Sequence, residues 1–187
     1  PRLETAGAGS FWKKILKRTL LIFGIGLLLH WFPFVKYDDT GKLVAKNLAN
    51  LRIMGVLQRI ALCYFFASVI IFYFKIKGAF VFSSFLLLAY WFLCVAANPA
   101  DPYSINGWFG TAIDKKILGT AHLYKGEGIP FDPEGLPGTV AAIAQVIFGY
   151  IAGHYIITKG KTAEMVNGLF VAGCVLVFAG FCWDTVF

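Results

Sequence analysis

Residues 53–97 read IMGVLQRIALCYFFASVIIFYFKIKGAFVFSSFLLLAYWFLCVAA, and the only charges among them are Arg59, Lys75 and Lys77. A hydrocarbon core ~30 Å thick takes about 20 mainly apolar helical residues to cross. The stretch therefore reads as two crossings, 53–74 and 79–97, joined by a turn over residues 75–78. So short a turn makes the pair an antiparallel hairpin. Working outward, three more runs of the same kind occupy residues 15–35, 139–157 and 165–181. Lipid cannot satisfy bare backbone N–H and C=O groups, so such runs close their hydrogen bonds as helices. The short alternating segments of a membrane β-barrel are not found. The expectation is an all-α polytopic membrane protein, one domain over residues 1–187. It has about five transmembrane helices, and a long extracytoplasmic loop (98–138) joins the third to the fourth.

Composition agrees. Hydrophobic residues make up 58% of the chain and charged residues 14%, against roughly 45–50% and 25% for soluble domains. The net charge of +7 would suit nucleic acid, but its placement points to topology instead. Lys13, Lys14, Lys17 and Arg18 precede the first run; Lys75 and Lys77 fill the second turn; Lys159 and Lys161 fill the fourth. Alternating spans put all of these on one side, as the positive-inside rule expects of the cytoplasmic face. On the other side, Lys36, Lys42, Lys46, Arg52, Lys115, Lys116 and Lys125 are spread over longer loops and partly balanced by carboxylates. The N-terminus is expected in the cytoplasm and the protein in a bacterial inner (plasma) membrane, with lipid and no nucleic acid as partner.

Residues 1–10 read as a flexible segment and 11–18 as an amphipathic entry, with Trp12 at the interface. Cys63, Cys94, Cys174 and Cys182 lie in or beside apolar runs without metal-ligand spacing, so they read as small hydrophobes and no metal is expected. Gly149 and Gly153 form a GxxxG in the fourth run; packing within the chain is its first reading and self-association into a homo-oligomer its second. The chain begins at Pro1 rather than Met and stops a few residues past a span. The expectation is a fragment of a larger polytopic protein.

Two groups of residues carry chemical interest. Gln58 and Arg59 lie just inside the second run, where an ionisable side chain is costly and marks a functional candidate. Arg52, seven positions earlier, would share a helical face with Arg59. Both guanidinium groups would then be available to an anionic carboxylate, sulfate or phosphate. The other reading is a structural ion pair with an acid from a neighbouring helix. The second group is His122 with Asp132 and Glu134. Asp132 at an N-cap, Pro133 at the first helical position and Glu134 in the first turn form a helix-start signal. In the functional reading, Asp132 or Glu134 holds an amine or sugar hydroxyl and His122 serves as a base. His30 and His154 read as structural. No phosphate-loop, zinc-protease, dinucleotide-binding or nucleophile-elbow pattern occurs.

Three segments together resemble the heparan-α-glucosaminide N-acetyltransferase family and its bacterial relatives. They are Leu51-Arg52-Ile53-Met54-Gly55-Val56-Leu57-Gln58-Arg59, His122-Leu123-Tyr124, and Phe131-Asp132-Pro133-Glu134-Gly135-Leu136 leading into Ala142-Ile143-Ala144-Gln145. Leu27-Leu28-Leu29-His30-Trp31-Phe32-Pro33 is similar as well, and the order is kept over nearly all of the chain after residue 11. Met54 departs from the family's usual Pro, which would straighten the start of the second span, and Pro137 is a second departure. The resemblance implies transfer of acetyl from cytosolic acetyl-CoA to an amino sugar or glycan on the far side. It implies no catalytic residue here, because the family's proposed catalytic histidine has no match in this chain. Arg52, Gln58, Arg59, His122, Asp132 and Glu134 would then line a substrate or cofactor pocket. The alternative is a multi-pass transporter or flippase for a small or glycan-linked solute.

Overall fold

The computed structural model describes residues 8–38, 40–126 and 128–185. Its elements in order are helix α1 (Ala8–Trp31), strands β1 (Val35–Tyr37) and β2 (Leu43–Ala45), α2 (Val56–Ala97), α3 (Phe109–Ile117), α4 (Leu136–Lys159) and α5 (Ala163–Asp184). Single 3₁₀ turns cover Leu48–Asn50 and Thr120–His122. Three helices, α2, α4 and α5, are long and apolar enough to cross a membrane. Helix α1 carries Lys13, Lys14, Lys17 and Arg18 in its first half, which leaves less apolar length than in the other three.

Helix α2 contains 42 residues but is not one rod: Lys75 has φ 57° and ψ −173°, which no helix accommodates. The chain turns back there. Arg59 lines the same cavity as Tyr90 and Cys94, although on an unbroken helix residues 59 and 90 would be ~46 Å apart. Phe74 stacks on Phe82 across the reversal, ring centroids 5.4 Å apart. A reversal expected over residues 75–78 is thus concentrated at one left-handed residue. Gly78 packs close by, where a Cβ would stand only 3.1 Å from the Cβ of Phe74.

Several boundaries differ from expectation. The first helix runs Ala8–Trp31 instead of 15–35, so residues 8–10, expected to be flexible, are helical; residues 1–7 lie outside those described. The helix ends just before Pro33, and residues 35–45 instead form a small antiparallel hairpin in which Val35 faces Ala45 and Tyr37 faces Leu43. Asp38 shapes its turn by accepting from the backbone N–H groups of Thr40 and Lys42, both at 2.9 Å. Lys46 then donates to the His30 carbonyl at 2.7 Å, and the Trp31 indole to the Lys46 carbonyl at 3.1 Å, pinning the hairpin to the end of α1.

The second helix begins at Val56, not 53, because residues 51–55 are extended. Met54, expected to straighten a helical start, is non-helical and buried. Arg52 and Arg59 therefore do not share a helical face. The stretch 98–138 contains α3, and the next helix starts at Leu136 rather than at 139. The last two helices extend to Lys159 and over Ala163–Asp184, beyond the expected 157 and 165–181.

The packed centre is made of small side chains. Cys63, Ala67, Ala79 and Ala142 are buried with Ile143 and Ile147 where α2 meets α4. Small residues allow helix backbones to approach when lipid, rather than water, surrounds the bundle. Large apolar side chains point outward instead: Leu20, Phe85, Phe92, Phe170 and Phe178 are all exposed, and α5 has no buried residue among those described. A surface of that kind suits hydrocarbon and not water.

Candidate functional site

One end of the bundle gathers the polar chemistry. The extended segment 51–55 runs between two imidazoles: His122 Nδ1 lies 2.6 Å from the Leu51 carbonyl and His30 Nδ1 lies 3.0 Å from the Arg52 carbonyl. A carbonyl oxygen only accepts, so each Nδ1 carries a proton. This arrangement aims the Arg52 side chain across to the loop before α4. Its Nε donates to Asp132 Oδ2 at 3.1 Å and its Nη2 to Asp132 Oδ1 at 2.6 Å; Nη2 also reaches Glu134 Oε2. The guanidinium lies 4.8 Å from the centre of the Tyr124 ring. Burial works against its charge, but Asp132 first and Glu134 second outweigh that and raise the Arg52 pKa.

Asp132 is therefore not an N-cap, as the sequence suggested. Helix α4 starts at Leu136, four residues later, with Gly135 at its N-cap and Pro137 in its first turn. Asp132 accepts instead from the Glu134 backbone N–H at 3.1 Å and serves as the fully buried partner of Arg52. The side chain that caps α4 is Asp114 of α3, whose Oδ1 accepts from the Leu136 N–H at 2.9 Å. Its other oxygen, Oδ2, is buried with no hydrogen-bond partner among the described residues. Burial pushes the Asp114 carboxyl up to about 6; the Leu136 bond pulls the other way and the nearby Asp132 charge adds to the rise. Only a glycine fits beside it, since a Cβ on Gly135 would collide with Asp114 Oδ2. Asp114 was not among the residues singled out from the sequence. Its one local signal is that Gly110, Thr111 and Asp114 share the buried face of α3.

Arg59 occupies a different environment. Its Nη1 donates to the Pro133 carbonyl at 3.0 Å and its Nη2 to the Gly138 carbonyl at 2.9 Å. Among the described residues it has no ion pair with a carboxylate. It forms part of the wall of a cavity of about 450 Å³ shared with Tyr90, Tyr103, Ser104, Trp108 and Phe131. The Trp108 indole donates to the Tyr90 hydroxyl at 3.1 Å, and its ring meets Phe131 edge-on at 5.8 Å. Arg59 also closes one end of a groove of about 460 Å³ with Cys63, Tyr64, Ala142, Gln145 and Val146. A cavity of about 780 Å³ between α4 and α5 is lined by apolar residues, Gly173 and the thiol of Cys174, with no charged side chain.

Gln58, next to Arg59, faces elsewhere. It is fully buried, and neither its amide oxygen nor its nitrogen has a hydrogen-bond partner among the described residues. The amide lies against Gly26 of α1, where a Cβ would be 2.7 Å from Oε1, and near Gly55, where a Cβ would be 2.6 Å from His30 Nε2. Of the six residues named from the sequence, Arg52, Asp132 and Glu134 thus form one cluster, with His122 holding the strand beside it. Arg59 stands at the cavity, and Gln58 lies in the α1–α2 contact. His30, read as structural, holds the Arg52 carbonyl and lies near Gly55 beside the Gln58 amide.

Comparison with protein-family models finds no match, and none is found among curated proteins.

Proposed function

We propose that this chain is part of a membrane-bound acyltransferase that passes acetyl from cytosolic acetyl-CoA to an amino sugar or glycan on the extracytoplasmic side. The proposal takes the three long apolar helices further, as five spans: α1, the two halves of α2 about Lys75, α4 and α5. The N-terminus is cytoplasmic, the membrane is a bacterial inner membrane, and residues 98–135 lie outside. The resemblance to the heparan-α-glucosaminide N-acetyltransferase family stands behind the choice of reaction.

The observation that carries the reading is Arg59. A cation in a span, unmatched by a carboxylate among the described residues, stands in an aromatic cavity that opens beside the loop between α2 and α4. Charge in such a place is costly unless it serves a ligand or a path. Aromatic faces suit the apolar faces of a sugar ring, and a few polar groups fix its orientation. For transfer, the acceptor amine must lose a proton as it attacks the acetyl carbonyl and the thiolate of coenzyme A departs. His122, the base expected from the sequence, sits against the Leu51 carbonyl and does not line that cavity, so the proton acceptor is assigned to none of the six residues. The acetyl-donating centre itself is assigned to none of these residues.

The test is acetyl transfer by the full-length protein in sealed membranes, with labelled acetyl-CoA on the cytoplasmic side and glucosamine on the other. Labelled N-acetyl sugar supports the reading, and Arg59→Leu should lower its formation about 10–100-fold, the worth of one charge-assisted contact. Passage of unmodified solute without acetylation would replace the enzyme with a transporter.

A further inference from the structure

Arg59 closes two spaces at once. On one side is the cavity with Tyr90, Tyr103, Ser104, Trp108 and Phe131; on the other is the groove between the first half of α2 and α4. Among the described residues, no carboxylate lines either one. The groove continues along both helices by about one turn, from Arg59 to Cys63 and from Ala142 to Val146, a run of ~6 Å. Its rim residues Ile60 and Val146 are exposed, so it opens sideways, where lipid chains would lie. Of the five guanidinium donors, two are used on the Pro133 and Gly138 carbonyls, which leaves three for an anion.

We infer that the acceptor of the proposed transfer is a sugar joined through phosphate to a lipid tail. This inference rests on the acetyl-transfer reading and deepens it. The sugar occupies the aromatic cavity, the phosphate meets Arg59, and the first carbons of the tail lie along Cys63, Ala142 and Val146. Each part answers one feature. A soluble sugar phosphate leaves the apolar groove empty, and a neutral glycolipid leaves the arginine without an anion in a low-dielectric place. Arginine suits the role because its planar donors match two phosphate oxygens at once. Entry from the side also needs no opening through the loop above the cavity.

The experiment measures binding by tryptophan fluorescence, since Trp91 and Trp108 line the cavity. Full-length protein sits in nanodiscs of zwitterionic lipid without acetyl-CoA. Three probes are compared: farnesyl-phosphate-linked glucosamine, glucosamine 1-phosphate, and neutral farnesyl glucosaminide. The first should bind at least about tenfold more tightly than either of the others, the equivalent of one charged contact or about two buried methylenes. Arg59→Gln should bring the charged and neutral lipids to equal affinity. Val146→Trp, at the exposed rim of the groove, fills it without touching the guanidinium's carbonyl contacts or the buried α2–α4 core, and should reduce the farnesyl-linked phosphate to the level of glucosamine 1-phosphate. Equal binding of tailed and tail-free phosphates by the unaltered protein would overturn the inference, as would equal binding of the neutral lipid. Acetylation of free glucosamine with no preference for a tail would sink this inference alone. Tail-dependent binding with no acetylation would instead sink the enzyme and keep the site.

Discussion

The carboxylate of Asp114 accepts a hydrogen bond from the backbone N–H of Leu136 at 2.9 Å, so helix α4 is capped by a side chain from α3, 22 positions upstream. This contact fixes the loop that carries Asp132 and Glu134, because that loop ends where α4 begins. It also leaves a carboxyl group buried, with one oxygen unpartnered among the described residues.

Stability should respond to that group between about pH 4 and 6. Burial holds Asp114 at about 6, above the ~3.9 of an exposed aspartate. Between those values the folded protein keeps a proton that the unfolded chain has lost. Stability from this group is greatest below the lower value and falls as pH rises to the upper one, by about 2–3 kcal/mol in all. Asp114→Asn retains an acceptor for Leu136 and loses the buried charge. Its melting temperature in detergent should equal or exceed that of the parent at pH 7.5, with the gain shrinking towards pH 4.5. Asp114→Ala, without the cap, should lose about 1 kcal/mol even at the low end. A pH-independent gap between parent and Asp114→Asn would contradict this.

Removing Arg52 should be far worse than removing one of its acids. Arg52→Leu leaves Asp132 buried and charged beside Glu134, and losing one partner of a buried pair costs about 3–5 kcal/mol. Arg52→Lys should recover little, because a lysine cannot span both Asp132 oxygens as the guanidinium does. Yields of folded protein after detergent extraction should rank parent, Asp132→Asn, Arg52→Lys, Arg52→Leu. A lysine variant as stable as the parent would show that the bidentate geometry carries no weight.

The α1–α2 contact around Gln58 gives a pair of opposite outcomes. Gly26→Ala forces a Cβ to 2.7 Å from Gln58 Oε1 in a site with no free space, and should cost about 1–3 kcal/mol. Gln58→Leu removes two buried polar atoms that have no partner among the described residues and should hold or raise the melting temperature. If both changes destabilise alike, the amide is satisfied by something other than protein, such as a buried water.

Labelling can test the five-span arrangement. Cysteine placed at Lys77 and at Tyr103, in a background lacking the four native cysteines, should react with a membrane-impermeant thiol reagent from opposite sides of sealed vesicles. Reaction of both from the same side would remove the hairpin topology.

The long apolar runs, the reversal near Lys75 and the basic edges are legible in the sequence because lipid solvation depends on local composition and run length. The helix ends are less so. The run at 53 looks helical, yet residues 51–55 stay extended because His30 and His122 take two of the segment's carbonyls and Asp132 takes the Arg52 side chain. Those partners lie 22, 71 and 80 positions away, and no local pattern encodes them. The same reason explains why Asp132 resembled a cap while Asp114 is one. Run length and hydropathy determined the helices that are long and apolar enough to cross a membrane. Only the packing of α1, α3 and α4 around α2 decided which charges meet, because pairing depends on distances between elements that the order of residues does not state.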